Sequence, residues 1–63
     1  MTDSTPRVVE IDSAVKLLGI LCYSSTTLIG AIEYYQRRYG KSPDVVYRLV
    51  DGLGTAYYWV VLR

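Results

Sequence analysis

The stretch Tyr39-Gly40-Lys41-Ser42-Pro43-Asp44 constrains this chain most, because it stops one element and starts another almost at once. Glycine after a helical run fits a left-handed C-terminal cap. Upstream of it, Leu28, Ile32, Tyr35 and Tyr39 recur at i, i+4, i+7 and i+11, one stripe of a helix. The spacing predicts a helix over 28–39. Downstream, Ser42 can cap, Pro43 has the fixed φ of a first helical position, and Asp44 meets the positive end of a helix. Val46, Leu49, Val50 and Leu53 then follow at i, i+3, i+4 and i+7. This predicts a second helix from Pro43 to about Leu53, with Gly54 ending it. A strand over 44–50 that turns at Asp51-Gly52 competes, since Asp-Gly is a hairpin signal. The agreement of cap and period favours the helix.

The rest of the chain falls into place around that boundary. Residues 1–6 are a polar lead-in, and 7–63 form one small domain. Arg7 to Ile11 is rich in β-branched residues and reads as a short strand. Asp12 or Ser13 can cap a helix through Ala14 to Cys22 that is apolar almost all round. Ser24-Ser25-Thr26-Thr27 breaks it, because hydroxyl side chains compete for backbone hydrogen bonds. Thr55 to Leu62 is β-branched and aromatic throughout and reads as a strand. Tyr57, Trp59 and Val61 share one of its faces with Thr55, while Ala56, Tyr58, Val60 and Leu62 share the other. The expected fold class is mainly α with a small β element: three short helices and a C-terminal strand.

Composition narrows the function. A chain of 63 residues buries only about 60% of its unfolded surface. Yet 51% of its residues are hydrophobic, too many for a disordered chain. One cysteine, Cys22, permits no internal disulfide, and the absence of histidine argues against a zinc site. Cys22 itself, in an apolar run, reads as a small buried hydrophobe. Self-association is the remaining source of stability. A homodimer through Tyr57, Trp59 and Val61 is therefore expected, since aromatic residues are enriched at interfaces. Leu17 to Ile32 carries no charge, but it is shorter than the roughly 20 residues a span needs and is broken by Ser and Thr. No membrane span is expected. The lone cysteine and the lack of a leader point to the cytoplasm. Glu10, Asp12 and Glu33 show no acid–base spacing, and no phosphate loop or nucleophile elbow is visible. The chain is expected not to be an enzyme, with no cofactor, metal or small-molecule substrate.

Formal net charge is +1, yet Arg37, Arg38, Lys41 and Arg48 cluster between Tyr34 and Val50 against Asp44 alone. The stretch from Tyr35 to Leu53 resembles the two-helix core of helix-turn-helix and winged-helix DNA-binding regulators. Tyr39, Gly40, Ser42, Val46, Leu49 and Leu53 carry the resemblance. Gln36 and Lys41 stand where that family usually has a small and an apolar residue. The resemblance implies a winged-helix-like fold and a small sequence-specific regulator binding double-stranded DNA as a homodimer. Ser42, Asp44, Val45, Tyr47 and Arg48 would then face the groove, with Arg48 reading guanine edges. Arg37, Arg38 and Lys41 would sit on phosphate. The alternative is an assembly or protein-interaction module that self-associates through the C-terminal strand and the apolar first helix, without nucleic acid.

Overall fold

The computed structural model describes residues 6–13, 17 and 19–62. It holds strands β1 (Arg7–Ile11) and β2 (Cys22–Ser25), helix α1 (Leu28–Tyr39), and strands β3 (Val45–Val50) and β4 (Ala56–Val61). The strands form one mixed sheet in the order β1-β3-β4-β2. β1 runs parallel to β3, and the other two pairings are antiparallel.

Local chemistry sets the helix. The Thr27 hydroxyl accepts from the Gly30 N–H at 3.0 Å, so the first turn is capped. Ser25 steadies that corner by accepting from the Thr27 N–H at 3.2 Å. At the far end Gly40 takes φ +74°, and its N–H donates to the Gln36 carbonyl at 2.8 Å. That is the left-handed cap the sequence predicts. Arg37 and Arg38 in the last turn suit the negative helix end.

Side chains alternate across the strands, so the register assigns each to a face. Val46 and Val60 turn toward α1 and are fully buried together with Ala31. Tyr23, Leu28, Ile32, Tyr35, Tyr58 and Leu62 pack around them. Leu28, Ile32 and Tyr35 are members of the predicted stripe, and Ala31 between them lets the helix approach the sheet. Tyr23 of β2 stacks on Tyr34 of α1 with ring centres 3.8 Å apart. Leu17, in the connection from β1 to β2, is 8% exposed and lies outside this cluster.

The predicted helix from Pro43 to Leu53 does not form; β3 occupies its place. Among the described residues there is one α-helix and a four-stranded sheet, so the mainly α, winged helix-turn-helix-like expectation is overturned. The physical reason lies in the residues. Val45, Val46, Tyr47 and Val50 are stiff or bulky side chains that fit a pleated surface better than a helix. Ser42 does not cap a helix: its hydroxyl accepts from the Gln36 side-chain amide at 2.8 Å. The helical spacing of Val46, Leu49, Val50 and Leu53 is a coincidence. Val46 and Val50 share one sheet face, Leu49 takes the other, and Leu53 is 93% exposed at the hairpin tip. The Asp51-Gly52 turn wins because Asp51 organises it. One carboxylate oxygen accepts from the N–H groups of Leu53 and Thr55, at 2.9 and 3.0 Å. The Asp51 N–H donates to the Thr55 carbonyl at 2.9 Å and closes the hairpin.

The expected helix over 14–22 is also corrected: Gly19 takes φ +81°, residues 19–21 are turn and irregular backbone, and Cys22 opens β2. Residues 14–16 and 18 of that expectation lie outside the described residues. The strand at Arg7 to Ile11 forms as predicted, and the strand expected over 55–62 forms as Ala56–Val61. No helix among the described residues is long and apolar enough to cross a membrane.

Candidate functional site

Of the residues gathered by the DNA-reading expectation, Lys41, Asp44, Val45 and Tyr47 line one cleft, while Arg37, Arg38, Ser42 and Arg48 do not line it. Arg37 and Arg38 are exposed on the last turn of α1, and Lys41 is exposed just beyond it. The Arg38 guanidinium lies over the Tyr39 ring, 5.7 Å from its centre, and donates to the Tyr39 hydroxyl at 3.4 Å. That phenol oxygen holds the Arg38 pKa above its ordinary value. Ser42 is engaged by Gln36. Val45 and Tyr47 point to the sheet face away from α1, because β3 alternates. Arg48 points to the opposite face. It donates to Glu10 at 2.9 Å and to the Tyr58 hydroxyl at 3.3 Å. These partners, the Tyr58 hydroxyl foremost, raise its pKa and engage two of its five N–H donors.

Two features replace that grouping. The first is a cleft of about 320 Å³ under the α1–β3 loop. Tyr35, Lys41, Asp44 and Tyr47 give it polar walls, and Pro43, Val45 and Val61 give it apolar ones. A lysine and an aspartate on one rim offer both signs of charge to whatever enters.

The second is the outer edge of β1. The Arg7 N–H donates to the Asp44 carbonyl at 3.0 Å, which fixes the polarity of the strand. In a parallel ladder alternate residues turn both main-chain groups inward. Arg7, Val9 and Ile11 therefore bond β3, while the N–H and C=O groups of Val8 and Glu10 point away from the sheet. β1 is a terminal strand in the sheet order. α1 lies over β4, β2 and β3, so Val8 on the helix side of β1 is left 41% exposed. Val50 on the same face of β3 is 43% exposed, and the Arg48–Glu10 ion pair sits between the two strands. At the opposite edge β2 is shorter and carries Ser24 and Ser25. Natural edges are blunted by charged side chains, lysine above all, by proline or by a bulge. β1 carries the charged Arg7 and Glu10, the latter paired with Arg48, but no lysine, proline or bulge within its span; Pro6 stands just before it.

The expected dimer residues Tyr57, Trp59 and Val61 do share a face, the one turned away from α1. They are half-buried, and the indole Nε1 of Trp59 is enclosed without a hydrogen-bond partner. β4, however, is hydrogen-bonded on both sides, to β3 and to β2. It has no free edge to offer a second chain. Cys22 lies across from Val61 on the same face, and burial pushes its thiol up, away from the thiolate. Among the described residues no group of His, Cys, Asp and Glu is arranged to hold a metal. No protein-family description, curated protein or solved structure matches the chain.

The sequence marks β1 as a strand but not as an edge. Edge position follows from which strands pair, and pairing depends on residues far apart in the chain. The only local hint is the β-branched run Val8-Val9 bounded by single charges.

Proposed function

We propose that this chain is a small protein-interaction and assembly module that self-associates through its sheet. One observation carries the reading: β1 ends the sheet with the main-chain groups of Val8 and Glu10 turned outward, beside exposed Val8. The size of the core supports it, since among the described residues the buried hydrophobic ones are Leu17, Ala31, Val46 and Val60. A core so small gains stability from a second chain. Association at β1 would extend the sheet by main-chain hydrogen bonds, a common recognition mode. The lone cysteine accords with a cytoplasmic setting.

Duplex DNA binding draws support only from the exposed Arg37, Arg38 and Lys41. Such a trio is also what the solvated end of a helix carries. A sedimentation series over protein concentration, with and without duplex DNA at low salt, tests both readings. The module reading expects concentration-dependent association without DNA. A chain that stays monomeric alone and binds duplex in a salt-dependent way would overturn it.

A further inference from the structure

Resting on that reading, we infer that two copies pair their β1 strands antiparallel, with Val9 on the two-fold axis. Hydrogen-bond matching sets the register. Val8 and Glu10 are the residues of β1 whose main-chain groups point outward, as the Arg7 to Asp44 hydrogen bond requires. A two-fold axis at Val9 sets Val8 of each copy opposite Glu10 of the other. Opposed residues of this kind exchange both of their hydrogen bonds. All four outward groups of each β1 are then satisfied, and the two sheets become one.

The neighbouring registers fail on chemistry. Moving the axis to Val8 places Pro6 opposite Glu10, and proline has no N–H to give the Glu10 carbonyl. Moving it to Glu10 sets two glutamates face to face, which like-charge repulsion disfavours. Shifts of one half-step put a helix-side residue opposite a residue of the other face, which a two-fold axis forbids. With the axis at Val9, each Glu10 faces an apolar Val8 and keeps its ion pair with Arg48. The helices do not interfere, because α1 sits over β4, β2 and β3 rather than over β1. Val8, exposed in the single chain, is partly covered by its new neighbour.

Only a residue on the axis meets its own copy, and this makes a single cysteine diagnostic. The full chain is prepared as V9C with C22S, and separately as V8C with C22S, then oxidised and sized without reductant. Val9 and its copy form a non-hydrogen-bonded pair with Cα atoms about 4.5 Å apart. That lies inside the span of roughly 4.4–6.8 Å that a disulfide bridges. The expected result is a covalent dimer from V9C and little from V8C. Equal linkage of both, or linkage of V8C alone, overturns the register. A second variant keeps the test independent of how V9C folds. The Val8 N–H takes no part in the ladder with β3, so V8P leaves that ladder intact. It removes two hydrogen bonds from the dimer and is expected to weaken dimerisation roughly tenfold to a hundredfold. A dimer unchanged in V8P overturns the inference while leaving self-association standing. A wild-type chain monomeric at every concentration overturns self-association itself. Growth beyond two chains would show β1 meeting β2 of the next copy, and it overturns the closed two-fold.

Discussion

Gly40 shows how much one residue decides. Its φ of +74° is a conformation that side chains other than glycine adopt at a cost. Gly40→Ala is expected to lower stability by about 1 kcal/mol, read as a lower urea midpoint with an unchanged slope. That residue was legible in the sequence, because helix caps are local chemistry. Gly30 was not. A Cβ there would lie 2.5 Å from the Ser25 hydroxyl oxygen and 2.8 Å from that of Thr27. These hydroxyls fix the helix start, so space is short where the sequence suggests an ordinary helical position. Alanine in place of a helical glycine normally gains about 1 kcal/mol. Here displacing the cap loses about as much. Gly30→Ala is therefore expected not to raise the melting temperature, and a clear rise would show that the corner yields freely.

The elements divide into those written locally and those written by their neighbours. α1 and β4 were legible because stripe, cap and β-branched composition agree along one stretch. β3 was not, because Ser42-Pro43-Asp44 mimics a helix start and Val46, Leu49, Val50 and Leu53 mimic its period. What decides β3 is distant: the β1 strand on one side, β4 on the other, and Val46 closing the core under Ala31. The hairpin joining β3 to β4 depends on Asp51. Hydrogen bonds from the Thr55 and Leu53 N–H groups hold its carboxyl below the ordinary value near 3.8. A carboxylate with a lowered folded-state pKa stabilises the fold above its unfolded pKa. That contribution is lost as pH falls through the lower folded value. The wild-type chain is therefore expected to lose stability below about pH 4, and Asp51→Asn to flatten that part of the profile. Thermal unfolding of both proteins from pH 6 to about pH 2 measures it. Identical profiles would show that the turn does not depend on the charge.

At the scale of the molecule, the described residues form a small sheet with a helix on one face and β1 and β2 at its edges. Val46 is fully buried at the centre of that arrangement. Val46→Ala removes two methylene-sized groups from the core and is expected to cost about 2 kcal/mol. In so small a domain that is a large share of the whole stability. The proposed self-association would change this balance, because a second chain that binds only the folded state stabilises it by mass action. The melting temperature of the wild-type chain is therefore expected to rise with protein concentration. The V8P chain should show little such rise. Composition carries only the expectation of a partner. Tyr57, Trp59 and Val61 suggest a contact by their aromatic character, whereas the edge position of β1 follows from pairing between distant strands.

Sedimentation equilibrium of the unmodified chain over a wide concentration range addresses self-association most directly. Pairing of two chains at β1 predicts a reversible shift from the 7.1 kDa chain mass toward twice that value and no further. A mass that stays at that of one chain across the whole range would contradict it.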